Sequence, residues 1–142
     1  MGLFDKIINM GSTNSNGELE EYLDQLLELD KKMLSLSDLD QIDKHEAKVE
    51  KILSMIKSLN ESTNDSSNDT LMGAKKRGKI MVRFFDKYIG EYSNLIKNAQ
   101  KELINEDDEL GSARIRKVIS SLDLRKTEID SLRTPWELDA EW

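Results

Sequence analysis

The sequence contains no cysteine, one proline and few aromatic residues among its 142 positions. The absence of cysteine excludes a disulfide framework, a thiol nucleophile and a thiolate metal site, and it suits a reducing compartment. Aromatic residues make up 6% of the chain, so a core has to be built mainly from Leu, Ile, Met and Val. No apolar run approaches the roughly 20 residues that span a bilayer, and the first residues show no signal-peptide pattern. We therefore expect a soluble, cytoplasmic protein.

Apolar residues recur at helical spacing in four long segments, and 35% of the residues are charged. Two helices are predicted, over residues 18–36 and 37–60. The turn between them is at most a few residues long, which favours a helical hairpin with Ser37 as the N-cap of its second helix. Together with two later helices they predict an all-α, antiparallel bundle of about four helices over residues 18–133. The narrow apolar stripes also suit an intermolecular coiled coil, so a homo-oligomer stays open.

The segments outside the long helices are polar or short. Residues 1–17 are expected to form a short amphipathic helix followed by a flexible linker, and residues 61–70 a polar loop. A helix is expected from about residue 112 to residue 132. Pro135 predicts that helical structure ends there, which leaves residues 134–142 as a non-helical, acidic, Trp-containing tail.

The most informative segment is residues 74–103. Its apolar residues alternate gaps of three and four, which is the pattern of one helix face rather than of a strand. Gly78 and Gly90 each cost a helix interior about 1 kcal/mol relative to alanine. A break near Gly78 is therefore the alternative to a single helix. The stripe consists of Met81, Phe85, Tyr88, Tyr92, Leu95, Ala99 and Leu103.

Charge is distributed unevenly along the chain. Residues 71–105 hold eight bases and three acids, whereas the rest of the chain is acidic and the net charge is −7. This asymmetry indicates a patch for nucleic acid or for an acidic partner. In the alternative interpretation, the basic helix packs beside acidic helices and the charges cancel. The patch consists of Lys75, Lys76, Arg77, Lys79, Arg83 and Lys87.

No catalytic, metal or cofactor site is expected. His45 is the sole histidine and has no partner evident in the sequence, so we interpret it as partly buried or at a bundle end. Residues 73–79 match most of a phosphate-binding loop, but Ile80 stands where a hydroxyl is needed and no strand precedes the segment. Arg125 interrupts the stripe of the last helix and is expected either to extend to the bundle edge or to pair with an acidic neighbour.

The sequence thus predicts a non-enzymatic protein–protein interaction module of the adaptor, inhibitor, immunity or regulatory kind. Its partner-binding residues are expected in the tail, at Trp136, Glu137, Leu138 and Trp142, unless the tail docks on its own bundle. Weak, salt-dependent nucleic-acid binding through the basic patch is the first alternative.

Peripheral membrane association through residues 2–10 is the second alternative. The first residues, Gly2-Leu3-Phe4-Asp5, resemble the start of small amphibian membrane-active peptides of the aurein and citropin type. That resemblance implies an amphipathic membrane-binding helix. The paired lysines of those peptides are missing, so attraction to an anionic membrane is expected to be weak.

Overall fold

The computed structural model of the protein describes residues 14–64 and 71–141. These residues form four packed helices, α1 (Asn14–Lys31), α2 (Leu39–Asn64), α3 (Leu71–Ile104) and α4 (Glu109–Ala140). A short 3-10 helix, Met33–Ser35, lies between α1 and α2, and the described part of the chain contains no strand. The all-helical prediction is confirmed. The short helix predicted before residue 11 lies outside the described residues.

The core is built from the apolar stripes of all four helices. On α3, Met81, Phe85, Tyr88, Tyr92 and Ala99 are buried, as the sequence spacing predicts. Burying one large apolar side chain contributes about 1.5–3 kcal/mol, which is the main force holding the helices together. The other helices supply Leu19, Leu23, Leu26, Leu27, Met33, Ile42, Val49, Leu53, Ile56, Ile115, Val118, Leu122, Ile129, Leu132 and Trp136.

The α1–α2 connection is capped one residue later than the sequence predicts. The Asp38 carboxylate accepts a hydrogen bond from the Gln41 backbone N–H at 2.8 Å, and the Gln41 side chain accepts one from the Ser37 N–H at 2.9 Å. This reciprocal arrangement satisfies two backbone donors at the start of α2. The N-cap prediction of Ser37 is therefore wrong, and Asp38 is the capping residue.

Other helix ends also extend beyond their predicted limits. α1 begins at Asn14, inside the segment predicted as a linker, and α2 continues to Asn64, inside the predicted loop 61–70. The last turn of α2 includes a hydrogen bond from the Thr63 hydroxyl to the Leu59 carbonyl at 2.8 Å. α4 begins at Glu109 because Asp108 accepts a hydrogen bond from the Gly111 N–H at 3.1 Å.

α3 is continuous through Gly78, so the alternative of a break there is wrong. The glycine is needed for packing. A Cβ at this position would lie 2.7 Å from the Trp136 carbonyl oxygen and 2.8 Å from the Ala140 nitrogen. The backbone of α3 at Gly78 therefore lies directly against the last turns of α4.

The predicted non-helical tail is wrong for residues 134–140, because α4 passes through Pro135 and ends at Ala140. Proline in a helix interior removes a hydrogen-bond donor and costs about 3 kcal/mol. Tertiary contacts offset this cost. Trp136 is fully buried, and its Nε1 donates a hydrogen bond to Asn60 Oδ1 at 2.8 Å. The Asn60 amide in turn donates to the Leu132 carbonyl at 3.1 Å.

Across the described residues, no helix carries an apolar stretch of the length and hydropathy required to cross a membrane.

The two glycines of α3 give a matched test of this packing. Gly78→Ala should destabilise the fold by about 1–3 kcal/mol, because the added methyl group meets backbone atoms that cannot rotate away. Gly90→Ala should stabilise it by about 0.5–1 kcal/mol, because alanine loses less conformational freedom than glycine in a helix and nothing lies within 4 Å of the added Cβ. Urea unfolding followed by circular dichroism measures both changes. Equal stabilisation by the two substitutions would contradict the close approach of α3 and α4.

Candidate functional site

One exposed face of α3 combines positive charge with apolar side chains. Lys76, Lys79, Arg83 and Lys87 are exposed and recur at spacings of three and four, so they lie along one side of the helix. Ile80 lies among them with 60% of its surface exposed. We call these five residues the basic face. Met72, one turn before Lys76, is 84% exposed and extends the same stripe toward the start of the helix.

Two members of the predicted basic patch lie differently. Lys75 and Arg77 are half-buried. The Arg77 guanidinium carbon lies 5.5 Å from the centroid of the Trp136 ring, which is cation–π geometry. The structure therefore divides the predicted patch into four exposed cations and two half-buried ones, of which Arg77 borders the contact with α4.

The aromatic residues near the basic face point into the bundle. Phe85 and Tyr88 are fully buried, and Phe84 packs edge-on against both rings with centroids 5.3 Å away. The Tyr88 hydroxyl donates a hydrogen bond to Asp24 Oδ1 at 2.6 Å. Burial, followed by this hydrogen bond, raises the pKa of the Tyr88 hydroxyl. Phe85 and Tyr88 are thus unavailable for stacking on nucleic-acid bases.

The basic face keeps its charge. Residues 71–90 contain one acid, Asp86, and its carboxylate lies 2.8 Å from the Arg133 guanidinium of α4. Within residues 14–64 and 71–141, no carboxylate forms an ion pair with Lys76, Lys79 or Arg83. Lys87 lies 5.3 Å from the centroid of the Tyr88 ring. Full cancellation of the charge of α3 by its neighbours is therefore not observed on this face.

The residues predicted to bind a partner through the tail are dispersed. Trp136 is inside the bundle, and Glu137 accepts a hydrogen bond from Arg133 at 3.0 Å. Leu138 is 61% exposed on α4, and Trp142 lies outside the described residues. The tail in this arrangement docks on its own bundle, with the ring of Trp136 shielded from solvent.

A second feature is a buried polar cluster to which all four helices contribute. The Asp30 carboxylate of α1 is at its centre and is 1% exposed. Oδ1 accepts a hydrogen bond from His45 Nε2 at 2.7 Å; Oδ2 accepts one from the Tyr92 hydroxyl at 2.7 Å and one from Arg125 Nε at 3.0 Å. Arg125 Nη2 also donates to Glu46 Oε2 at 2.8 Å.

The electrostatics of the cluster follow from burial and from its two carboxylates. Burial by itself would lower the pKa of the Arg125 guanidinium, but the negative charges of Asp30 and Glu46 outweigh that effect and raise it. Burial and then the Asp30 charge raise the pKa of the Tyr92 hydroxyl. Arg125 therefore stays charged and Tyr92 neutral, and each donates a hydrogen bond to Asp30. The cluster is arranged for internal pairing rather than for binding a substrate.

Sequence reasoning found part of this cluster. Pairing of Arg125 with an acidic neighbour was one of two predicted outcomes, and the structure shows that pairing. His45 is 6% exposed and lies in the core rather than at a bundle end. Asp30 and Glu46 were missed. The available signal was the position of Asp30, which falls between Leu26 and Met33 at core spacing and so places a charge on a buried stripe.

In the described part of the chain, no group of three or more His, Asp or Glu side chains is arranged to hold a metal ion. Comparisons of the chain with protein-family models, with curated proteins and with solved structures found no match. The basic face and the surfaces around it are therefore the features from which a function can be inferred.

The buried cluster predicts an unequal response to two similar substitutions. Asp30→Asn should lower the free energy of unfolding by about 3–5 kcal/mol, because it leaves the buried Arg125 without its principal counter-charge. Asp43→Asn is the matched control, since Asp43 is a mostly exposed residue paired with Lys117 and its loss should cost less than about 1 kcal/mol. Chemical denaturation at pH 7 compares them. Equal, small losses would contradict a structural role for the cluster.

The two buried tyrosines predict a loss of stability in alkali. In the unfolded chain their hydroxyls ionise near pH 10, whereas the folded protein holds them protonated to higher pH. Above about pH 10 the unfolded state therefore binds fewer protons, and each tyrosine lowers stability by up to about 1.4 kcal/mol per pH unit. Below that pH the contribution is constant.

Denaturant unfolding of the wild type and of the Tyr88→Phe/Tyr92→Phe double variant between pH 8 and about pH 11 measures this effect. The two stability curves should run parallel below pH 10, and the variant should fall less steeply above it. Identical slopes above pH 10 would show that the tyrosine hydroxyls do not respond to their buried surroundings.

Proposed function

We propose that the chain is a non-enzymatic protein-interaction module, of the adaptor, inhibitor, immunity or regulatory kind, that presents the basic face of α3 to an acidic protein partner. One observation carries the proposal: a row of four outward cations surrounds an exposed isoleucine on an otherwise acidic protein. A cytoplasmic location and the absence of catalysis are part of this proposal.

The proposal takes the scaffold to be an antiparallel bundle. Support comes from contacts that run in opposite directions along α3 and α4. Gly78 meets Trp136 and Ala140, Asp86 meets Arg133, and Tyr92 shares the Asp30 carboxylate with Arg125. In such a scaffold the inner side of α3 packs on the core, so the backbone positions of the four cations and Ile80 are set by the helix.

Recognition would divide between charge and apolar contact. The cations would steer an acidic partner toward the face and determine its orientation, while burial of Ile80 would slow dissociation. The remaining acidic surface would not prevent this encounter, because charges more than about 8 Å apart are largely screened at physiological salt. Binding is therefore expected to weaken as salt rises.

Nucleic acid is the second candidate, because the same cations could contact phosphates. Two observations favour a protein. Ile80 occupies the centre of the face, and the neighbouring Phe85 and Tyr88 rings are buried and cannot stack on bases. Membrane association through residues 2–10 involves residues that the structure does not describe, and it stays a prediction.

The test is capture from a lysate of the native source with the full chain immobilised, with and without nuclease. The Lys76→Glu/Lys79→Glu/Arg83→Glu variant should capture less than about a tenth of the partner that the wild type captures, because like charges then face each other. The Lys44→Glu/Lys48→Glu/Lys51→Glu variant is the control. It makes the same change of charge at exposed positions of α2 and should capture as the wild type does.

A protein recovered after nuclease treatment and lost in the α3 variant supports the proposal. Recovery of nuclease-sensitive material alone would move the assignment to nucleic acid. Equal capture by both charge variants would show that the basic face is not the binding surface.

A further inference from the structure

The end of the bundle opposite to Gly78 carries a second exposed surface. Arg114 of α4 donates hydrogen bonds to the Leu34 and Leu36 carbonyls at 2.8 and 3.0 Å, which joins the α1–α2 connection to the start of α4. Between them lies a groove of about 610 Å³. We call this surface the acidic groove. Its lining includes Asp38, Leu39, Asp40, Asp108, Leu110 and Arg114.

The chemistry of the acidic groove is apolar with a negative border. Leu110 is 77% exposed and Leu39 is 41% exposed. Asp38, Asp40 and Asp108 contribute three carboxylates and Arg114 one cation, so the lining carries a net negative charge. Asp38 and Asp108 also cap α2 and α4 by accepting hydrogen bonds from the Gln41 and Gly111 N–H groups. The groove therefore suits an apolar side chain that is flanked by cations.

The basic face of α3 has this chemistry. Ile80 is its apolar centre, and Lys76, Lys79 and Arg83 lie around it without a carboxylate partner among the described residues. Its geometry is the reverse of the groove's: a convex helix surface with positive charge, against a depression with negative charge. The two surfaces are complementary in shape, in polarity and in the sign of their charge.

The two surfaces cannot meet within one molecule. The start of α3 lies against the C-terminal end of α4, whereas the acidic groove is at the N-terminal end of α4. α4 has 32 residues, so at 1.5 Å per residue its ends are separated by roughly 45 Å. Contact between the surfaces requires a second chain.

We propose that the acidic groove of one copy binds the basic face of a second copy, head to tail. Such a contact is not self-complementary, so each pair keeps one free basic face and one free acidic groove, and association continues into open chains unless it closes into a ring. This inference rests on the proposed function in one respect, since it uses the same basic face. Self-association would then withhold that face from an acidic partner.

The contact should be weak and dependent on salt. One groove and one helix face bury less surface than the roughly 1,200–2,000 Å² typical of stable complexes. Its charges lie at the surface, where about 1 M salt reduces the screening length to about 3 Å. Sedimentation velocity should therefore show mass rising with protein concentration at about 50 mM salt and a monomer at about 1 M salt.

Two surface variants separate the halves of the interface. Lys79→Glu/Ile80→Glu alters the basic face and keeps the groove. Asp40→Asn/Leu110→Asn alters the groove and keeps the face, and it adds no positive charge that could attract the new glutamates of the first variant. All four positions are exposed, so circular dichroism should show unchanged helix content. Each variant alone should remain a monomer at concentrations where the wild type associates.

An equimolar mixture of the two variants is the decisive sample. It retains one intact face and one intact groove, so it should form 1:1 dimers and stop there. A wild type that stays monomeric up to about 1 mM, or a mixture that stays monomeric, would overturn the inference. Wild-type dimers that do not grow further and survive in both variants would also overturn it, because they indicate a symmetric interface elsewhere.

These results are distinguishable from a failure of the proposed function. The Lys76→Glu/Lys79→Glu/Arg83→Glu variant could lose partner capture while the wild type is a monomer. That result would support the proposed function and contradict self-association. If the two surface variants form dimers when mixed and no partner is captured, self-association would be supported and the proposed acidic partner contradicted.

Discussion

The hydrogen bonds to the buried Asp30 carboxylate determine how the four helices are aligned. It sits in the core at 1% exposure and accepts hydrogen bonds from His45 of α2, Tyr92 of α3 and Arg125 of α4. A buried ion pair seldom stabilises a fold more than an apolar core of the same volume would, because desolvation offsets the attraction. Its consequence here is alignment. Leu and Ile stripes accept a shift by one helical turn, but a shift would leave a buried carboxylate opposite an apolar side chain at a cost of several kcal/mol. We infer that the cluster selects one register.

The same register determines what happens at the far end of α3. With Tyr92 and Arg125 both bound to Asp30, α3 and α4 are matched at their middle, and Gly78 then falls beside Trp136 and Ala140. Close approach at Gly78 and the Trp136–Asn60 hydrogen bond hold α4 in a helix past Pro135. The position of the basic face follows from this contact. Because one side of α3 is occupied by α4 and another by the core, Lys76, Lys79 and Arg83 are left on the remaining outer side.

Sequence reasoning succeeds where a local pattern decides the outcome and fails where a distant contact does. The alternating spacing from Met81 to Leu103 predicts α3 because residues at gaps of three and four share one face only if the segment is helical. Pro135 misleads, since its local cost is real but the buried indole of Trp136 outweighs it, and that pairing joins residues 76 positions apart. Gly78 is ambiguous for the same reason, because a helix-weakening residue is also the one that permits a close backbone contact. The outward cations of α3 could be predicted as a group, but which of them border α4 depends on the register.

The way the acidic residues of α1 are satisfied explains why the charge of α3 stays on its surface. Asp24 and Asp30 both face α3, and each could have taken a lysine from it as a counter-charge. Instead they accept hydrogen bonds from the neutral hydroxyls of Tyr88 and Tyr92, and the positive charge beside Asp30 comes from Arg125 of α4. Neutral donors satisfy the carboxylates without consuming the cations of α3. The inner side of α3 therefore contributes neutral donors to the core while the cations stay on its outer side, and replacing either tyrosine by lysine would make α3 contribute charge to the core.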